Sequence, residues 1–189
     1  MRKKSHWRLA DYLMGDNEKP AIELMFKVGS VAPDFMLRSM IQGHSYDTTS
    51  HRVHRRIIKL EERGRWNLIS AYRLGYVTHY LADYFTAPHN MHGEFGFKAH
   101  CSFEKQQLHM LRGQLNQQRE LSKEYNEELD IMEYLDALHE EYMAQSPEVE
   151  RDCDYIVNVT EQVVDHMFML FNERQQEPEA KSWRHRLSA

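Results

Sequence analysis

Apolar residues in this chain recur at steps of three and four almost throughout, and no strand-like alternation runs long enough to trust. That period places the apolar side chains on one face of successive helices and makes the fold all-α, a single bundle. The clearest case follows Pro147, where Val149, Cys153, Ile156, Val163, Met167 and Phe171 form one stripe. Ser5 can cap a first helix that offers Trp7, Leu9, Ala10, Leu13 and Met14 to the interior and ends at Gly15. Pro20 suits the first turn of a second, carrying Ile22, Leu24, Met25, Phe26 and Val28 and stopping near Pro33. Gly43 through Ser50 reads as a loop, followed by a basic helix around Val53, Ile57 and Leu60 that Gly64 closes. Trp66 to Phe85 is the most apolar segment and reads as the central helix, ended by Pro88. A short loop over Met91–Phe97 leads into a helix towards Leu121. Gln117 to Asn126 is polar, a break or a solvated continuation, and an acidic helix follows around Ile131, Leu135 and Leu138.

A length of 189 residues suits one domain, read here as residues 1–174 with a polar, frayed tail over 175–189. No apolar run approaches the ~18 residues of a membrane span. A net charge of -5 gives no broad basic surface, so no stable nucleic-acid complex is expected. The two cysteines, Cys101 and Cys153, make no disulfide scaffold and no metal-binding Cys pair, and Cys101 reads as a buried thiol. Met1-Arg2-Lys3-Lys4 opens like a signal peptide, but Ser5, His6, Arg8 and Asp11 are too polar for the apolar segment of one. The expected location is cytoplasmic.

Histidine is over-used, with 12 in the chain, and the question is whether any of them converge. His79 and Asp83 lie four apart on the central helix and project from one face, where they can share a cation. His89 follows Pro88. His100 and Glu104 repeat the four-residue spacing on the next helix, Asp34 sits just past a helix end after Pro33, His44 lies in the loop beyond, and His6 opens the first helix. Chance alone supplies roughly two His-x-x-x-acid pairs in such a composition, so either pair taken singly is best read as an ordinary ion pair on a helix surface. Context changes the balance. His79 and Asp83 stand in the most apolar helix, where an unpaired charge is expensive and a metal is one of the few partners that suits both.

The ordered set His79-x3-Asp83-x5-His89, then His100-x3-Glu104, preceded by Pro33-Asp34 and His44, resembles the zinc-dependent phospholipase C and S1/P1 nuclease family. The resemblance runs from His6 to Glu104. It implies an all-α domain holding a zinc cluster of two or three ions in a cleft. Asp34, His44, His79 and Asp83 would bind one ion, His89, His100 and Glu104 a second, and Asp83 would bridge to a third that His6 also binds. Glu104 stands where the nuclease branch tends to have Asp, which favours the phospholipase branch. In secreted members an N-terminal tryptophan supplies its amine and carbonyl to the third ion. This chain opens otherwise, and cleavage before Trp7 would remove His6, so the third ion is expected to go unfilled or to take water. Choline-selective members hold the headgroup with aromatics; Phe35 could serve as one, while Ile41 stands where another is expected.

Imidazole and carboxylate donors match zinc, and two adjacent ions clamp the attacking and leaving oxygens of a phosphate ester. The implied activity is hydrolysis of a phosphodiester by in-line attack of metal-activated water, with Asp34 orienting or deprotonating it. The substrate would be a phosphate ester, including phospholipid. Two alternatives stand beside this: a single-strand nuclease, and a metal-binding or interaction protein without activity. His51 and His54, beside Arg52, Arg55 and Arg56, read as a solvated basic face, with contact to an anionic surface as the minority reading. His92 reads as a loop residue, and His109, His139 and His166 as surface or core-edge groups.

Overall fold

A computed structural model of the protein describes residues 1–15, 19–37, 43–90, 96–118 and 130–176. Among them there is no strand. The described residues give eight α-helices in chain order: α1 (Lys3–Met14), α2 (Pro20–Val31), α3 (Tyr46–Arg63), α4 (Leu68–Tyr84), the single turn α5 (Ala87–Asn90), α6 (Phe97–Gln118), α7 (Ile131–Met143) and α8 (Val149–Gln176). A 3₁₀ turn, Ala32–Phe35, continues α2. The all-α expectation therefore holds. No described helix is long and apolar enough to cross a membrane.

The boundaries have local causes. Gly15 and Gly64 end α1 and α3 with φ of 51° and 54°, a left-handed backbone that costs glycine little. Asn67 caps α4: its side chain accepts from Ile69 N–H at 2.9 Å and Ser70 N–H at 3.1 Å, while Ser70 Oγ accepts from Asn67 N–H at 2.8 Å. Asp130 caps α7 in the same way through Met132 and Glu133.

Five local readings change. The loop expected through Ser50 already ends at Ser45, because α3 starts at Tyr46. Its polar first turn is held from within: Thr49 is fully buried and its hydroxyl lies 2.8 Å from that of Tyr84. Ser5 does not cap α1 but is buried inside it, and Arg2 holds the cap position. The central helix stops at Tyr84, so Pro88 falls inside the separate turn α5. Trp7, Leu24 and Val28 face solvent, and Cys101 is half-buried rather than buried. Ile41, the loop residues 91–95 including His92, most of Gln117–Asn126 and the tail from 177 lie outside the described residues.

One buried cluster draws on α1, α2, α3, α4, α6, α7 and α8, with α4 at its centre. Leu74, Val77 and Leu81 of α4 and Ile156, Val163 and Phe171 of α8 are all fully buried. Each such side chain contributes about 1.5–3 kcal/mol. The α2–α4 crossing is the tightest of these contacts. A Cβ on Gly29 would lie 2.1 Å from the Tyr72 carbonyl oxygen, and one on Gly75 would lie 2.1 Å from that of Phe26. The backbones therefore touch, which no side chain would allow, and the end of α2 is pressed against the middle of α4.

Candidate metal centre

That backbone contact orients the first imidazole. Ser30, near the end of α2, brings its carbonyl oxygen 2.8 Å from His79 Nδ1. With Nδ1–H donating there, Nε2 keeps its lone pair and points towards His44 Nδ1 (3.1 Å) and Asp83 Oδ2 (3.3 Å). Helix α4 holds His79 and Asp83 on one face, as their spacing requires. The 3₁₀ turn after α2 supplies Asp34, the approach to α3 supplies His44, α1 supplies His6, α5 supplies His89, and α6 supplies His100 and Glu104.

All eight residues converge. Four sets each bring their donor atoms within 4.8 Å of one another: His6, His79 and Asp83; Asp34, His44 and His79; His44, Asp83 and His89; and His89, His100 and Glu104. Asp83 is the hub and is wholly buried. Its Oδ2 lies 2.7 Å from His44 Nδ1, and its Oδ1 lies 3.4 Å from His6 Nε2 and 3.9 Å from His89 Nε2. Glu104 Oε1 stands 3.3 Å from His100 Nε2 and 3.5 Å from His89 Nε2. The α-amine of Met1 enters the same cluster, 2.7 Å from Asp83 Oδ1, 3.2 Å from Glu104 Oε1 and 2.6 Å from His89 Nε2. The sequence leaves the third ion without a terminal amine because the chain does not open on tryptophan; the structure brings the amine of Met1 there instead.

Electrostatics prepares these groups for a cation. Burial, reinforced by the neighbouring His79, pushes His6 down to about 3, so its imidazole is neutral at physiological pH. Burial and the Met1 ammonium lower His89. Burial opposes ionisation of Asp83, yet the Met1 ammonium and the His89, His6 and His79 rings outweigh it and hold the carboxyl well below its ordinary range. Glu104 is opposed by burial too but held at about 2 by its hydrogen bond to His89 and by the Met1 ammonium. Asp34 is raised, chiefly by burial.

The donor set fits a cation on another count as well. Neither ring nitrogen of the buried His6 has a hydrogen-bond partner, nor does Asp34 Oδ2. Buried polar atoms are seldom left so. Neutral imidazole lone pairs and ionised carboxylates, closely grouped and under-satisfied, are what a zinc-type ion requires. The cluster opens on a cleft of about 920 Å³ lined by Lys3, Asp34, His44, His89, His100 and Glu104 among others. Phe35 is exposed at this side and takes the Lys3 ammonium over its ring at 3.9 Å from the centroid.

A supporting residue has no signal in the sequence. Asp152 of α8 is fully buried; its Oδ2 accepts from Ala87 N–H at 2.8 Å and its Oδ1 accepts from the Tyr142 hydroxyl at 2.8 Å. It thereby fixes α5, the turn that carries His89. Burial raises Asp152 to about 7. The folded chain then holds a proton there that the unfolded chain releases near pH ~4, so stability falls as pH rises from about 4 to 7 and levels above that. The change should amount to a few kcal/mol, at about 1.4 kcal/mol for each pH unit crossed in that interval. Asp152→Asn keeps both partners without a charge and should flatten this part of the urea-unfolding profile. Asp152→Ala leaves the Ala87 N–H and Tyr142 hydroxyl unpaired and should cost about 2–3 kcal/mol. An unchanged pH slope in the asparagine variant rejects the assignment.

Two histidines outside the cluster find ordinary partners. His166 lies 3.0 Å from Glu61 of α3, and His139 stacks on Tyr46 at 3.8 Å between ring centroids.

Neither a curated protein nor a solved structure matches the chain. A family model described as zinc dependent phospholipase C matches residues 5–148, a span that runs well beyond the motif-bearing segment and takes in every candidate ligand. With some three-quarters of its length so matched and its fold all-helical, the chain belongs to the zinc-dependent phospholipase C family.

Proposed function

We propose that the protein is a zinc-dependent hydrolase of phosphodiesters, of phospholipase C type, carried by one α-helical domain over residues 1–174. The observation that carries the reading is the convergence of four overlapping donor sets around Asp83 at the floor of an open cleft. Asp34, His44, His79 and Asp83 would hold one ion, His89, His100 and Glu104 a second, and His6 with Asp83 a third. Zinc bound there would supply a water acidified towards neutral pH and positive charge against the phosphoryl oxygens.

The remaining work falls to the chain. Asp34, with one carboxylate oxygen unpartnered and its pKa raised by burial, would orient the attacking water and take its proton. As the water oxygen bonds to phosphorus in line, the bond from phosphorus to the leaving oxygen breaks, and a proton passes to that oxygen. Arg2, Lys3 and Lys4 line the cleft and place positive charge where an anionic substrate enters. Phe35, whose ring already receives an ammonium group, would contact a cationic headgroup.

Zinc analysis of the purified protein tests the site, and two or three ions per chain are expected. A folded, zinc-free protein that takes up no zinc removes the reading. A panel of phosphatidylcholine, an aryl phosphodiester and single-stranded nucleic acid tests the chemistry: hydrolysis of the first two is expected. Cleavage of nucleic acid alone would assign the nuclease activity instead, and zinc content without any turnover would assign a binding protein.

A further inference from the structure

This acidic chain carries one pronounced positive stripe. Along α3, Arg52, Arg56, Lys59 and Arg63 follow at steps of four, three and four, one stripe about 16 Å long at 1.5 Å per residue. Arg55 stands beside it, and Arg73 faces it from α4. Together with Leu60 and Tyr76 these residues line a groove of about 370 Å³, and no carboxylate is among its described lining. Arg55, Arg56, Lys59 and Arg63 are solvent-exposed, and none of these four pairs with a described carboxylate. The Arg56 guanidinium lies 4.3 Å from the centroid of the Tyr76 ring, which holds its charge at the groove.

Like charges one turn apart on a helix repel. A net charge of -5 over the whole chain cannot explain why five basic residues are gathered on one 18-residue helix that carries only three acidic ones. Apolar exposure adjoins the stripe. Ile58 lies on α3 itself, and beyond the turn at Gly64 α4 begins with Leu68 and Ile69 exposed, Ile69 at 61%. Positive charge beside exposed aliphatic side chains suits a surface that is anionic at its face and apolar just beneath. A nucleic-acid strand would call for exposed aromatic platforms, and here Trp66 is half-buried against Phe168 and Phe171 while Arg56 covers Tyr76.

We propose that the Arg52–Arg63 stripe of α3, with Leu68 and Ile69 at the start of α4, is a docking surface for an anionic lipid bilayer. It is a binding property separate from the hydrolytic reading and rests on none of its residues. The test is co-sedimentation of the full-length, zinc-supplemented protein with phosphatidylcholine vesicles, with and without roughly 30% phosphatidylglycerol, a composition near the charge of an anionic leaflet. Binding at least about tenfold stronger to the anionic vesicles, and lost at high salt, is expected.

Reversing Arg55, Lys59 and Arg63 to Glu should remove that preference while zinc content, the circular dichroism spectrum and aryl-phosphodiester turnover stay unchanged. The milder Arg55→Gln with Lys59→Gln should weaken binding several-fold and guards against a folding defect in the triple variant. Equal binding to both vesicle types, or full binding by both variants, overturns the proposal. So does displacement of the protein from anionic vesicles by single-stranded oligonucleotide at sub-stoichiometric amounts. Vesicle binding without turnover would leave this surface standing and fail the hydrolase. Turnover without a charge preference would do the reverse.

Discussion

Asp83→Asn is expected to cost the metal centre the ions that Asp83 would share and to take much of the zinc-dependent part of the protein's stability with them. The side chain sits wholly inside the fold, and its two oxygens serve different halves of the cluster: Oδ2 faces His44 and His79, Oδ1 faces His6, His89 and the Met1 amine. Asparagine keeps the volume but replaces one oxygen with an amide nitrogen that cannot accept or bind a cation. Whichever way the amide turns, one half of the cluster loses its carboxylate oxygen. A ligand that binds only the folded state stabilises it by about 2.7 kcal/mol at a hundredfold excess over its dissociation constant. For a chain of this length, that corresponds to roughly 5–10 °C in Tm. The parent should therefore lose about that much on chelation, whereas the variant should respond less to chelator and carry at least one zinc fewer than the parent. A variant with full zinc content and a chelator-sensitive Tm would show that Asp83 does not join the two halves.

How much of the site is legible in the sequence depends on how each residue is placed. His79 and Asp83, and His100 and Glu104, are set by helical geometry alone, because a four-residue step on any regular helix aligns the two side chains. That these pairs meet Asp34, His44, His89 and His6 came from the ordered resemblance, since local periodicity says nothing of how α1, α2 and α6 pack on α4. The contact that arranges this, Gly29 on Tyr72 and Gly75 on Phe26, gives no sequence signal beyond two glycines inside helical runs. Asp152 is unreadable for a related reason. Its partners are a backbone N–H 65 residues away and a tyrosine on another helix, and it sits in a stretch that reads as the polar first turn of an amphipathic helix. It also lies beyond the family-matched residues, so α8 of this chain braces a turn, α5, that the matched part contributes. Misreadings at Thr49 and Cys101 share one cause: polarity and spacing describe a residue's neighbours along the chain, while burial depends on the helices that pack across it.

Asp34→Asn should separate the holding of metal from its use. Asp34 stands at the rim of the cluster rather than at its hub. It lies on a 3₁₀ turn and borders the cleft, with its donor atom within 4.8 Å of those of His44 and His79 and Oδ2 without a partner. If it serves mainly to orient water and accept its proton, asparagine retains an oxygen donor and the shape while losing the basic function. Zinc content should then stay near that of the parent as kcat falls by about 10²–10⁴. The pH profile gives a second readout. A base must be ionised to act, so the parent's rate should rise with pH as the base loses its proton. In the variant that limb should vanish, leaving a low rate without it. Turnover falling in proportion to lost zinc would make Asp34 a ligand alone, and unchanged turnover at full zinc would leave the proton without an acceptor among the residues named. Only a large fall in kcat at constant zinc content assigns the base.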